Sequence, residues 1–381
     1  MKKALQVASV ASMIDQFNME NIKVLQDLGY KVDVAANFDF GNTSSESRVN
    51  EFKEELKHKD IKYYNLLFDR NIFNFINLKV YRELKKIINE NNYDIIHCHS
   101  PIGGVITRLA AIKARKKGTK IIYTAHGFHF FKGASIINWI LYFPIEWISS
   151  FFTDILITIN KEDYKLAKRV MKCKEIKYIK GIGINTKKIK DVSVDYNKKR
   201  ANLGISEEDI VILSVGELSK RKNHEVIIRA IAEIKNKNLH YIICGKGKMI
   251  KKLKRLTEKL QVSKQVSFLG FRKDICEISK ISDIFVFPSL QEGLPVALME
   301  AMTVGLPVIC SKIRGNEDLI CQEKGGYLVN PKDINGFVKK IDFLVNNEEV
   351  RKKFKEYNLE IIEEFDLRNI NSEIKKVYEN K

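Results

Sequence analysis

Short apolar runs recur along this chain, separated by stretches of helical periodicity, and this alternation constrains the fold more than any other feature. In the first half the runs are Leu5 to Val10, Lys31 to Ala35, Ile95 to His99, Lys120 to Ala125 and Asp154 to Ile159. Helical patterns lie at about Phe17 to Leu28, Val80 to Asn89 and Gly104 to Lys116. After Asn197-Lys198-Lys199-Arg200 a second series begins: Ile210 to Val215, His240 to Cys244, Val266 to Leu269, Ile284 to Phe287 and Val308 to Cys310. Its helices fall near Glu225 to Lys235, Met249 to Leu260, Ile275 to Ser279 and Glu317 to Cys321, with a short edge element at Gly325 to Val329. Such alternation means parallel strands joined by crossover helices. A chain of 381 residues is long enough for two such domains with separate cores. The expectation is an α/β chain of two doubly wound, Rossmann-like domains, residues 1–190 and 200–355, facing a central cleft. A charged helical segment, residues 356–381, returns to the N-terminal domain. Ligands of open parallel sheets bind beyond the carboxyl ends of the strands.

Composition narrows the class. The net charge of +19 implies an anionic partner such as nucleic acid, anionic lipid or a phosphate-rich substrate. None of the six cysteines forms a CxxC pair, and most lie in or beside apolar runs, which points to a reducing compartment. Met1-Lys2-Lys3 before Ala4 to Ser9 superficially resembles a secretory start, but the apolar run is short and broken by Gln6, so it reads as a first strand. No stretch reaches 18 continuous apolar residues, so a cytoplasmic protein is expected.

The segment Gln291 to Glu300 carries the sharpest chemistry. Glu292 sits in a Gly/Pro loop after the run Ile284 to Phe287, and Glu300 falls about a turn inside the helix that follows. Backbone N–H groups at a helix N-terminus favour anions, and carboxylates suit hydroxyls. A site reading both kinds of group fits a phosphorylated sugar.

The wider pattern then becomes recognisable. It comprises His97-Cys98-His99-Ser100-Pro101, Thr124 to Phe131, Thr158 to Asp163, Gly216-Glu217-Leu218 with Lys222-Asn223-His224, Gly245-Lys246-Gly247, Phe268 to Arg272, and the Glu292 to Glu300 segment. The chain resembles, over nearly its whole length, the retaining GT4 glycosyltransferases of the two-domain GT-B fold, in particular bacterial enzymes of capsule, exopolysaccharide and glycan-intermediate assembly. The resemblance implies transfer of a sugar from a nucleotide donor, held mainly by the C-terminal domain, to an acceptor held by the N-terminal domain. It implies no cofactor and no metal, because basic side chains and helix termini neutralise the diphosphate. Uracil is the base usual for this type.

The resemblance also assigns residues. Lys222 corresponds to a phosphate-binding lysine, and the backbone N–H groups at Gly293 and Leu294 supply further donors. Relatives often carry arginine where this chain has Glu217, so Arg221 or Lys220 stands in for it. Glu300 is placed at the ribose hydroxyls and Glu292 at a hydroxyl of the transferred sugar. His126, following a strand, is placed at the transferring sugar, and Gly127 lets the backbone approach closely. His129 is assigned behind it. Gly216 and Gly245 with Lys246 and Gly247 form turns near the nucleotide, Phe271 and Arg272 lie near the base, and Gly181-Ile182-Gly183 is a hinge-side loop. The glycine-rich loop common after the first strand is missing here, leaving Ser9 or Ser12 beside a phosphate. His97 and His99 invite a metal reading, rejected for want of a third ligand nearby. The sequence offers no isolated general base and no convincing nucleophile. Front-side attack, with the departing phosphate accepting the acceptor's proton, uses only groups already assigned.

Residues 136–152 are unusually apolar and hold both tryptophans, Trp139 and Trp147, while Asn138, Pro144 and Glu146 argue against a spanning helix. Flanked by Arg115, Lys116, Lys117 and Lys132, the segment suits a helix lying on the inner face of the cytoplasmic membrane, where a polyprenyl-diphosphate-linked acceptor would be met. The rivals are a buried interdomain or oligomer helix; a homodimer stays open. For the whole chain the rivals are a transferase with a soluble sugar acceptor, a UDP-sugar epimerase and a nucleic-acid-binding module. The last rests on the basic runs at 198–200 and 246–255, which lack interleaved aromatics or a recognition helix.

Overall fold

The computed structural model describes residues 1–69, 71 and 74–380. The chain divides into two units: Met1–Ile182 together with the chain from Arg368 onward, and Gly183–Leu367.

The first unit is built on a seven-stranded sheet. Its strands are β1 (Lys2–Val7), β2 (Tyr30–Ala36), β3 (Lys62–Asn65), β4 (Ile95–His99), β5 (Lys120–Ala125), β6 (Ile155–Thr158) and β7 (Glu175–Tyr178). They pair in parallel in the order β3-β2-β1-β4-β5-β6-β7. The second unit holds β8 (Ile210–Val215), β9 (Leu239–Cys244), β10 (Val266–Gly270), β11 (Ile284–Phe287), β12 (Val308–Ser311) and β13 (Gly326–Val329). Their order is β10-β9-β8-β11-β12-β13, again parallel. Each sheet therefore reverses its winding once, between β1 and β4 and between β8 and β11, and loops leaving the strands on either side of such a switch point splay apart to admit a ligand. The two units are doubly wound and Rossmann-like. Central strands such as β4, β11 and β12 are buried along their whole length, as parallel strands covered on both faces must be.

Several boundaries differ from the sequence reading. β1 stops at Val7 rather than Val10, the pattern at 17–28 is the single helix Met19–Asp27 preceded by a short helix Ala11–Phe17, and the pattern at 104–116 resolves into Pro101–Ala110 and Ile112–Lys116. The edge strands β3 and β7 escaped notice because their polar sequences, Lys-Tyr-Tyr-Asn and Glu-Ile-Lys-Tyr, lack an apolar run. The chain leaves the first unit at Ile182, not near 190–200. Residues beyond it pair with the second unit's far end: Ile184 bridges Asp366, and the Thr186 hydroxyl donates to the Asp366 carboxylate at 2.6 Å. The second unit likewise runs on to Leu367 instead of ending at 355, through Glu348–Ile361 and a 3-10 turn, Ile362–Phe365. The helix Leu367–Glu379 alone supplies the return: Ile370, Ile374, Val377 and Tyr378 are buried in one cluster with Ala4, Val32, Ile95 and Ile122.

Candidate active site

In the second unit the loops leaving β8, β9, β10 and β11 are stitched to one another. The Gly216 N–H donates to Cys244 O at 2.9 Å, Leu218 N–H to Lys246 O at 2.9 Å, and Gly245 N–H to Gly270 O at 2.7 Å. A Cβ on Gly245 would stand 1.8 Å from Gly216 O, so glycine is obligatory there. This packing brings Gly216 and Gly245 together, and it sets the following residues beside the β11 loop. The Leu290 N–H donates to Arg221 O at 2.8 Å, and Asn223, in left-handed backbone, donates its amide to Pro288 O and Pro331 O.

Glu292 is the centre of this arrangement. Its Oε1 accepts from Lys222 Nζ and from Arg221 Nη1, both at 2.8 Å. Lys222 and Glu292 side chains are only 12% and 10% exposed, whereas Arg221 is 44% exposed. The Lys222 ammonium also lies over the Phe287 ring, 4.4 Å from its centroid. Burial pulls the Lys222 pKa below its ordinary value against the opposing pull of Glu292. An ammonium has three protons, so one bond to Glu292 leaves donors for an incoming anion. Arg314, nearly buried, donates to the Glu292 carbonyl at 3.2 Å, and Gly315 packs its backbone on Gly293. Sequence reading missed Arg314; a single arginine in a loop carries no signal until β12 sets it beside β11.

Pro295 caps the helix Val296–Thr303, on which Glu300 is the fifth residue. Glu300 is largely buried, and burial alone raises its pKa to about 7. No hydrogen bond or ion pair engages it among the described residues. When ionised, such a group can accept hydrogen bonds from hydroxyls. Leu294, in the loop before this helix, is buried. Phe271 is 66% exposed, while the guanidinium of its neighbour Arg272 is held by Asp274, with Nε donating at 2.8 Å. Asp274 also accepts from Lys199, so Arg272 is not a loose cation.

In the first unit β5 delivers His126, followed by Gly127 at φ +119°. The loop is held by buried Asp163, whose carboxylate accepts from Phe128 N–H at 3.0 Å. His97 and His99 both point to one face of β4 and are fully buried. Contrary to expectation a third imidazole does lie near: His126 Nε2 is 3.2 Å from His99 Nδ1. The rings are linked by this hydrogen bond, and their other nitrogens meet Gln6, Thr124 and Tyr378, so they form a polar chain and not a ligand set. Among the described residues no group of three or more His, Cys, Asp or Glu is arranged to hold a metal ion. Burial keeps all three rings neutral, lowering His126 to about 4, His97 to about 3 and His99 well below its ordinary value. His129 does not join them; it stacks on Tyr142 at 4.6 Å. Ser9 and Ser100 bond each other at 2.7 Å, and Ser9 Oγ accepts from Gly103 N–H, so the Ser9 hydroxyl fills the role of a glycine-loop donor only toward the protein itself.

The helix Ile136–Ser150 is two-faced. Trp139 packs on Phe130 and Phe143 and donates its indole N–H to Phe131 O. Glu146 is buried, accepting from Arg108 at 2.7 Å and Tyr123 at 3.0 Å. The opposite stripe, Ile137, Ile140, Leu141, Ile148 and then Phe151, is exposed. The Arg115 guanidinium donates to Phe151 O, which sets a basic side chain at the C-terminal end of the helix, and the Lys172 backbone N–H donates to Ser150 Oγ. No helix among the described residues is long and apolar enough to cross a membrane.

Two doubly wound parallel sheets in two units define a two-domain α/β architecture. Residues 6–160 match the family described as "Glycosyl transferase 4-like", and residues 195–360 match "Glycosyl transferases group 1". "Putative glycosyltransferase EpsD" of Bacillus subtilis (strain 168) is 38% identical over 92% of this chain and 90% of its own. The UDP-Gal:alpha-D-GlcNAc-diphosphoundecaprenol alpha-1,3-galactosyltransferase of Escherichia coli is 29% identical over 81% of each chain. The crystal structure of Anabaena Alr3699/HepE in complex with UDP and glucose superposes with a TM-score of 0.79 over 99% of both chains at 19% identity. The chain belongs to the GT4 glycosyltransferases of the GT-B fold.

Proposed function

We propose that this glycosyltransferase moves a hexosyl or N-acetylhexosaminyl group from a UDP-sugar to a polyprenyl-diphosphate-linked glycan, with retention and without a metal. The observation that carries the proposal is the pair of carboxylates on one loop and helix: Glu292 flanked by Lys222 and Arg221, and Glu300 desolvated and, among the described residues, without an ion pair. A cation-backed carboxylate suits a site shared by sugar hydroxyls and phosphate. A lone desolvated carboxylate suits ribose. As the bond from the anomeric carbon to the diphosphate breaks, Lys222 and the N–H groups at Gly293 and Leu294 stabilise the charge that develops. The departing oxygen takes the acceptor's proton on the same face, and His126 orients the sugar.

The lipid-linked acceptor is supported by the diphosphoundecaprenol-linked acceptor of the Escherichia coli relative and by the exposed stripe on Ile136–Ser150 with Arg115 at its end. Such a helix fits the inner surface of the cytoplasmic membrane.

The test is a donor and acceptor screen. UDP-, GDP- and ADP-sugars are offered at matched ionic strength, with and without EDTA, against a polyprenyl-diphosphate-linked sugar and its free counterpart. The expected result is EDTA-insensitive turnover of one UDP-sugar onto the lipid-linked acceptor, with an α product from an α donor. Equal binding of all nucleotides, or conversion of the sugar without transfer, would overturn the reading.

A further inference from the structure

The polar chain behind His126 reaches the C-terminal helix. Gln6 Nε2 donates to Tyr378 Oη at 3.3 Å, which turns the Gln6 carbonyl toward His99 Nε2 at 3.0 Å. A carbonyl only accepts, so His99 must carry its proton on Nε2. The ring is neutral, so its Nδ1 is a lone pair. That lone pair faces His126 Nε2 at 3.2 Å, and His126 must therefore donate. Tyr378 gives its own proton to His97 Nδ1 at 2.8 Å, and His97 Nε2 donates in turn to Thr124 Oγ1 at 2.8 Å. In this arrangement each of the five bonds has one donor and one acceptor. Gln6, His97, His99 and Tyr378 are almost fully buried, so no bulk water competes for these bonds. Reversing the Gln6 amide would reverse every bond and move the His126 proton to Nδ1.

We propose that Tyr378 and Gln6 are positioning residues that set which ring nitrogen of His126 carries the proton, leaving Nδ1 as an acceptor. The consequence for the reaction rests on the reading of His126 given above: it takes a hydrogen bond from a substrate hydroxyl and does not donate one to phosphate. The two ring nitrogens of a histidine are distinct in this way because the bond made at one decides what the other offers. The partners lie 372 positions apart in sequence for Gln6 and Tyr378.

Selective labelling of the seven histidines with 15N, read by long-range proton–nitrogen correlation, measures the tautomer directly. His126 is identified by its loss in His126→Gln. The full-length protein should show the Nε2–H form at His126. Tyr378→Phe should convert it to a mixture with Nδ1–H, and should lower kcat roughly five- to tenfold, the loss of one hydrogen bond's ordering, with the donor KM nearly unchanged. Val377→Ala, which opens a cavity in the same helix packing without touching the polar chain, should leave the tautomer as it is. An Nδ1–H form in the unaltered protein, or a His126 pattern unmoved by Tyr378→Phe, overturns the proposal. A shifted tautomer with unchanged turnover upholds it and removes His126 from the reaction.

Discussion

Glu300 shows how much a single side chain can report. Its pKa of about 7 stands above the ordinary 4.5 because burial disfavours the charged form. The folded protein thus holds this proton through the window between those values, where the unfolded chain has released it, and the group's contribution to stability falls as pH rises through that window. Donor binding has the opposite slope. Hydroxyls bond best to the carboxylate, so affinity for the nucleotide-sugar should rise from about pH 6 and level off above about pH 7, with proton release on binding below that point. Calorimetry in two buffers of different ionisation enthalpy checks both. Glu300→Gln should flatten the profile, and Glu300→Ala should weaken donor binding roughly tenfold or more, as expected for hydrogen bonds to a charged group. Unaltered affinity in Glu300→Ala would end the ribose assignment. The carboxylates were legible in the sequence because both fall in one short segment after an apolar strand. Arg314 and Tyr378 were not, since each acquires its role only from a neighbour that the sheet brings alongside.

Among the elements, the helix Ile136–Ser150 departs most instructively from its sequence. Its tryptophans suggested the membrane anchor, but Trp139 faces the protein, and the exposed stripe is aliphatic up to Phe151, on which Trp147 packs. Replacing Ile137, Ile140 and Ile148 with serine should therefore abolish most binding to vesicles containing anionic lipid while donor affinity stays unchanged; cosedimentation equal to the parent's would return the stripe to another partner. Glu146, which in the sequence argued only against a spanning helix, proves to be the inward anchor: with Arg108 it forms a pair whose side chains are 8% and 1% exposed. Breaking such a pair leaves an uncompensated buried charge. The central strands were readable because parallel strands buried on both faces are continuous apolar runs, while β3 and β7 at the sheet edge had no such need.

At the scale of the molecule, the two series of strands and the returning C-terminal helix were visible in the pattern of apolar runs; the crossing points were not. Ile184 and Thr186 belong to the second unit through Asp366, a partner about 180 residues away that no local pattern discloses. Removing the chain from Arg368 onward would strip four buried side chains from the first unit, each worth about 1.5–3 kcal/mol, a sum comparable to the whole stability of a domain. Limited proteolysis of that truncated protein should cut within residues 1–182 and spare 183–367. Resistance in both regions would show that the helix is dispensable.

That helix also fixes an order of events in the cell. Synthesis releases residues 1–182 first, yet the cluster of Ala4, Ile95 and Ile122 keeps an uncovered side until Ile370, Ile374 and Val377 have been made. The unit that emerges second, complete at Leu367, is the first able to finish folding. Until the last segment docks, the earlier half of the chain is the part that needs shelter from aggregation.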